Sequence, residues 1–415
     1  MIRVFFAVIF SVVSYALAQQ MPEKCATHTH QLTLLQQHPE ISNEKERINT
    51  LIQILKANQS ANKNEQVIIT IPVVVHVVYN TTVQNISDAQ IQSQISALNK
   101  DFRKLNSDLL PSNHPFFSLI ADVQIEFCLA SIDPSGNATT GITRTNTSVS
   151  SFSDNDKVKS STTGGANPWN TQQYLNLWVC NLGGSLLGYA QLPEDLSDYP
   201  ETDGVVINYK YFGTTGTSTS PYNLGRTATH EIGHWLGLEH IWGDDADCSG
   251  TDNIDDTPNQ QTETYGCPSG EKTDNCTTNS PGIMYQNYMD YTDDACMNMF
   301  TLQQASRMRG ILQTIRSSIA TSNKCSTTTA VLQSNSPDFS VYPNPVNRYV
   351  RFSGLPNSNE KFELELFAID GKLLYTTSIN NTLDMIELPE LENGNYLVKL
   401  SNSRSVYVAK ILVRK

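Results

Sequence analysis

One stretch constrains this chain more than any other: His230-Glu231-Ile232-Gly233-His234-Trp235-Leu236-Gly237-Leu238-Glu239-His240. Imidazoles four positions apart project from one face of a helix, one turn apart, so His230 and His234 can hold one divalent ion together. Gly237 tolerates positive φ and lets the chain leave the helix sharply, which brings His240 round as a third ligand. Three protein ligands leave one corner of a zinc tetrahedron open, the mark of a reactive site rather than a structural one. Glu231 follows the first ligand and can reach a water at that corner without joining the metal. Zinc lowers the pKa of such a water toward ~7, and a carboxylate placed there is a general base. The plain alternative is a surface helix with incidental histidines. Three of the chain's eight histidines fall in this short stretch, around a glutamate, which argues against it.

The rest of the composition narrows the setting. A chain of 415 residues predicts two or three domains. A net charge of −13 excludes nucleic acid and anionic membrane as natural partners and leaves carboxylates for hard cations. Arg3, the apolar run at 4–13 and Ala16-Leu17-Ala18 read as a signal peptide over 1–18. The run is shorter than the ~20 residues a span requires, and no later segment is long and apolar enough, so no transmembrane segment is expected. The protein is expected to be secreted or held at the cell surface. In that oxidising setting Cys25, Cys128, Cys180, Cys248, Cys267, Cys276, Cys296 and Cys325 are candidates for disulfides. Four of them fall between 248 and 296, where apolar periodicity is weak and staples are needed.

Residues 19–65 are polar, with Ile48, Leu51, Ile52 and Leu55 at helical spacing, and read as a pro-segment ending in a cleavable stretch. A catalytic domain over 66–325 follows. Strands are expected at 67–79, 123–130, 175–181 and 204–208. A helix capped by Ser87 and Gln90 carries Ile91, Ile95, Leu98 and Phe102 on one face. The motif helix starts near Arg226, and another helix is expected over 302–319. The fold class is α/β (α+β), a mixed sheet with a long active-site helix. After a linker at 326–337, residues 338–415 form a small all-β domain. Its alternating runs lie at 362–367, 373–376, 396–400 and 406–413, with Asp370-Gly371 and Asn393-Gly394 turns, and predict a sandwich.

The extended histidine pattern is the metzincin signature, and Asn287-Tyr288-Met289-Asp290-Tyr291 resembles that group's Met-turn, with Met289 beneath the metal. Within it the chain resembles the pappalysin family, peptidase family M43, in its cytophagalysin and ulilysin-like branch. The resemblance runs through residues 73–79, Leu186-Leu187-Gly188-Tyr189-Ala190, Asp203-Gly204-Val205-Val206, Gly225-Arg226-Thr227, Asp256-Thr257-Pro258 and 287–296. It implies a secreted zinc metalloendopeptidase made as a zymogen and acting on proteins or peptides. The rival readings are a secreted binding or adhesion protein on an inactive scaffold, and a zinc amidase acting on small molecules.

The resemblance implies further roles. Tyr291 would set its hydroxyl near the metal and stabilise the oxyanion, the alternative being plain packing. Cys248 would pair with Cys276, and Cys267 with Cys296. Asp252, Asp255 and Thr257 would bind structural calcium; a solvated acidic loop is the alternative. Cys25 would bind the zinc as thiolate and silence the zymogen, or else pair with another cysteine. Asp293 or Asp294 would face basic residues next to the scissile bond. The stretch 185–191 would be the sheet edge along which substrate lies. Residues 341–346 and 410–413 closely resemble the sorting domain of the type IX secretion system, which makes that machinery a partner. A substrate-binding sandwich is the rival reading there.

Overall fold

The computed structural model of the protein describes residues 24–59, 67–325, 339–353, 361–368, 373–379, 385–401 and 406–414. The leader at 1–18, the end of the pro-segment, the linker at 326–337 and the Asp370-Gly371 turn lie outside them. The chain divides into two compact units, Met1–Cys325 and Ser326–Lys415.

The first unit is built on β1 (Ile69–Tyr79), where every residue from Ile71 to Val78 is buried. Both faces are covered, which is why the strand reads as a continuous apolar run rather than an alternation. Its partners are all parallel: β2 (Ile125–Leu129) beside its first half, β3 (Ile142–Asn146) beside its second, and β4 (Leu175–Cys180) on the other side. Strand β3 is not foreseen from sequence because Ile-Thr-Arg-Thr-Asn carries one apolar residue and lies at the rim. Next to β4 runs β6 (Val205–Asn208), and β5 (Gly188–Ala190) closes the sheet as an antiparallel edge strand on β6.

Helices cover the sheet. The N-terminal stretch forms α1 (Thr27–Gln37) and α2 (Ile41–Gln59). In α3 (Asp88–Phe102) the Ser87 hydroxyl accepts from the Gln90 N–H at 3.2 Å, and Ile91, Leu98 and Phe102 are fully buried. The motif helix α4 (Arg226–Trp235) follows. The predicted helix over 302–319 is two pieces, α5 (Leu302–Gln313) and α6 (Ser317–Ala320). The break turns Arg316 inward, where its guanidinium clasps the Asp203 carboxylate at 2.5 and 2.8 Å in the interior. An ion pair overrides the apolar periodicity that continues through Ile319. Among the described residues no helix is long and apolar enough to cross a membrane.

Three disulfides brace the unit. Cys128 at the end of β2 joins Cys325, 197 residues away, while Cys248–Cys276 and Cys267–Cys296 staple the loop-rich stretch. Cys25 and Cys180 remain free thiols.

In the second unit, strands β7 (Ser340–Tyr342), β8 (Tyr349–Ser353) and β11 (Ile386–Glu387) form one small sheet. Strands β9 (Phe362–Ala368), β10 (Leu373–Ile379), β12 (Gly394–Ser401) and β13 (Val406–Val413) form the other, antiparallel throughout. Val350, Leu364, Leu366, Val398, Leu400 and Ile411 share one core. Asn393-Gly394 closes no hairpin as expected: Gly394 already pairs with Val413, and the preceding strand belongs to the other sheet.

Candidate active site

The motif helix points its polar face at the cleft. His230, His234 and His240 are all buried, and their Nε2 atoms converge: His234 Nε2 lies 3.1 Å from both His230 Nε2 and His240 Nε2. The opposite ring nitrogens explain why. His230 Nδ1 lies 2.7 Å from the Tyr288 carbonyl and His234 Nδ1 2.8 Å from the Leu238 carbonyl. A carbonyl only accepts, so each Nδ1 carries the proton and each Nε2 presents a lone pair. His240 Nδ1 lies 2.6 Å from Asp244 Oδ1. Burial lowers the His230 pKa to about 3 and takes His234 well below the ordinary range, with the neighbouring His240 adding to both. Converging lone pairs repel unless a cation sits among them. An ion about 2.0–2.1 Å from each nitrogen sets N···N separations near 3.3 Å in a tetrahedron, so the donor set fits zinc.

Gly237 has φ of +84° and releases the chain toward His240. Gly233 was not singled out from sequence. A Cβ there would stand 2.5 Å from the Met289 sulfur, so the helix rests on Met289 only because that position is bare. Met289 is held in turn by its N–H to Asn287 Oδ1 at 2.9 Å, and Asn287 is locked by a reciprocal pair of bonds to Gln304 at 2.8 and 3.1 Å. Tyr291 packs its ring 5.0 Å from His240 and 5.7 Å from His230, centroid to centroid.

The N-terminal stretch crosses this centre. Cys25 Sγ lies with the three histidines in one ligand cluster and is 3.3 Å from Glu231 Oε2. Thr27 Oγ1 donates to the same carboxylate oxygen at 3.0 Å. Burial raises the Glu231 pKa to about 7, against the two donors. The Tyr291 hydroxyl donates to the Cys25 carbonyl at 3.1 Å. Backbone bonds from Leu187 N to Lys24 O (2.9 Å) and from Ala26 N to Gly188 O (3.1 Å) lay the segment parallel to β5. Gly188 is required: a Cβ would meet the Val206 carbonyl at 2.8 Å and Glu231 Cγ at 3.0 Å.

Lys24, another residue the sequence reading passed over, enters a pocket lined by Tyr222, Thr227, Tyr291, Asp294 and Met297. Its ammonium donates to the Tyr291 carbonyl, lies 4.0 Å from Asp293 and sits 4.2 Å from the Tyr222 ring centroid. Asp294 is oriented by the N–H groups of Leu224 and Arg226 at 2.7 and 3.3 Å. In the acidic loop, Asp252 is buried and accepts from Thr257 Oγ1 at 2.8 Å, whereas Asp255 is exposed. Asp256 serves α5 instead, accepting from Thr301 and from the Gln303 N–H.

Residues 159–313 match the family model of pregnancy-associated plasma protein-A, peptidase family M43. An extracellular metalloprotease of Arthroderma otae is 34% identical over 252 residues, covering 60% of this chain and 79% of that one. One of Pyricularia oryzae is 33% identical over 289 residues, covering 67% and 88%. The chain belongs to peptidase family M43. This M43 peptidase is a secreted metalloendopeptidase made as a zymogen, and its family implies a catalytic metal. A solved promirolysin mutant of Tannerella forsythia is similar at 52% identity and a TM-score of 0.66, covering 72% of this chain and 97% of that one. Mature mirolysin with a cleaved peptide gives 59%, 0.60, 62% and 97%. Residues 340–414 match the secretion system C-terminal sorting domain, so the M43 peptidase is exported across the outer membrane by that route.

Proposed function

We propose that His230, His234 and His240 hold a single zinc ion and that Glu231 is the general base of peptide hydrolysis. The observation that carries this reading is the convergence of three Nε2 atoms, that of His234 3.1 Å from each of the other two, with the far side of each ring hydrogen-bonded. Zinc, when bound, supplies an acidified water and a Lewis acid for the scissile carbonyl. Glu231 takes the proton from the attacking water and passes it to the leaving amine. Its depth beneath Gly188 keeps it from bulk solvent, and that glycine leaves room for the Glu231 side chain. Tyr291 donates to the carbonyl oxygen that gains charge, as it now donates to the Cys25 carbonyl. Strand β5 offers N–H and C=O groups to an extended peptide, the way it pairs with the pro-segment.

Cys25 keeps the zymogen silent by occupying the ligand corner and engaging Glu231. The Lys24 pocket supports a preference for a basic residue beside the scissile bond, with Asp293 and Asp294 as counter-charges. Buried Asp252 with Thr257 supports a structural calcium site, with Asp255 from the same loop joining it. The chain is organised as leader 1–18, pro-segment 19–65, catalytic domain 66–325, linker 326–337 and sorting domain 338–415. Protein substrates and the type IX machinery are its partners. The decisive comparison sets the processed enzyme against Glu231→Ala on casein and on a quenched peptide, with and without a chelator. Wild-type cleavage should stop with chelator, and the variant should lose at least about a thousandfold in kcat. Equal rates in the two proteins remove Glu231 from the mechanism.

A further inference from the structure

Lys24 marks one side of the metal centre; the pro-segment covers the other side with α1 and α2. Between these helices and the catalytic unit lies a cavity of about 380 Å³ that reaches His234 and His240 and is lined by Glu194, Glu239 and Lys45. Lys45, on α2, places its ammonium 3.0 Å from Glu239 Oε2. Asn253 donates to the other oxygen of Glu239 at 3.0 Å, which fixes the carboxylate toward the cavity. Glu194 is buried in the short turn Pro193–Asp195 that α2 packs against. Asp195, next in line, has no exposed surface and is not part of the cavity wall; it faces Gln31 of α1. Two carboxylates of the catalytic unit, Glu194 and Glu239, thus line one cavity.

Two cations of the catalytic unit, Lys159 and Arg307, lie near these carboxylates but make their hydrogen bonds to other groups. Lys159 bonds Asp156 at 2.7 Å and the Thr202 carbonyl at 2.8 Å. Arg307 donates to the Gly237 carbonyl at 2.5 Å and to Asn49 of the pro-segment at 2.8 Å. The ammonium that meets Glu239 comes from the part of the chain that activation removes. Carboxylates gathered in one cleft repel one another and favour a cationic guest.

We propose that Glu194 and Glu239 form a cation-accepting subsite of the processed enzyme, on the opposite side of the scissile bond from the Lys24 pocket. Its guest is a lysine or arginine side chain of the substrate, and Lys45 occupies it in the zymogen. The proposal rests on the peptidase reading above. It makes the enzyme a reader of basic residues on both sides of the bond it cuts.

The test uses processed wild-type enzyme and the Glu194→Gln/Glu239→Gln double variant. Quenched peptides carry Lys, norleucine or Glu in turn at each of the first four positions on that side of the bond. At one position the wild type should prefer Lys over norleucine by about tenfold in kcat/KM and reject Glu, and the double variant should bring the Lys-to-norleucine ratio near one. The ratio is measured within one preparation, so the amount of active enzyme cancels. Raising salt on the unsubstituted enzyme gives a second readout, because the same ratio should shrink as charges are screened. A wild-type ratio near one at every position overturns the proposal, as does a ratio that survives the double substitution. Wild-type enzyme that cleaves none of the peptides fails the peptidase reading itself, a separate outcome.

Discussion

Replacing Asp203 with Ala should unfasten the far end of the active-site helix. Asp203 accepts two bonds from Arg316 and one from the Trp235 indole at 3.1 Å, while Arg316 Nε donates to the Trp235 carbonyl at 3.0 Å and its guanidinium lies 4.0 Å from the Trp235 ring centroid. Both charged side chains are no more than 2% exposed. Removing the carboxylate strands a buried guanidinium, which costs about 3–5 kcal/mol, and leaves the indole N–H unsatisfied, about 1 kcal/mol more. Arg316→Met should cost a comparable amount by stranding the carboxylate. The Asp203→Ala/Arg316→Met double variant removes both charges and should lose clearly less than the sum, leaving a coupling of about 3 kcal/mol. Urea unfolding in a Glu231→Ala background, where self-digestion cannot intervene, measures all four corners of the cycle. Trp235 directly follows His234, so the single Asp203→Ala variant should also hold metal about tenfold more weakly in chelator competition. Single variants that each cost under about 1 kcal/mol and simply add would refute this account.

Three other outcomes follow from the zymogen contacts. Cys25→Ala should give a full-length chain with chelator-sensitive activity on small peptides, and unchanged latency would mean that Cys25 plays no part in it. Stripping calcium with EGTA should lower the unfolding temperature by about 5–10 °C, the effect of losing a ligand held near a hundred times its Kd. Asp252→Asn should abolish that difference, and a calcium-insensitive wild type counts against the site. The third concerns pH. Burial, then the Glu194 charge, raises the Asp195 carboxyl to about 7 beneath the pro-segment, against Gln31 from α1, the Leu192 N–H and Lys159. Uncovered, it should titrate near ~3.9, so docking takes up a proton between those values. Pro-segment affinity should therefore fall as pH rises from about 4 to 7 and then level off. His30 lies beside Asp156 and His28 beside Asp244 on the same docking face, so the signal is taken as the difference between wild type and Asp195→Asn. Inhibition of processed enzyme by a pro-segment peptide, titrated over this range, should show a shallower slope in the variant; equal slopes discard the role of Asp195.

What the sequence discloses and what it hides divide along a physical line. Periodicity and spacing are local, so β1, α3, the motif helix and the Gly237 exit are readable from neighbouring residues. The same spacing places His230 and His234 on one face before any fold is known. Contacts between distant segments leave no such trace. Nothing near Gly233 announces the Met289 sulfur that forbids a side chain there. Nothing near Arg316 announces Asp203, and so the helix expected over 302–319 breaks where that ion pair forms. Asp244 illustrates the middle case. It stands at the start of an acidic stretch with no mark of its own, yet it braces His240 at 2.6 Å. Its place four residues after the last ligand was a usable clue, because a neutral metal-binding histidine needs an acceptor for its second nitrogen. The pro-segment lies deepest in the hidden class. Lys24, Thr27 and Lys45 are ordinary polar residues in an unremarkable tract, and they acquire meaning only opposite Tyr291, Glu231 and Glu239. An inhibitor carried on the same chain has to complement the cleft it blocks, so its side chains are an imprint of the charges that substrate will meet there.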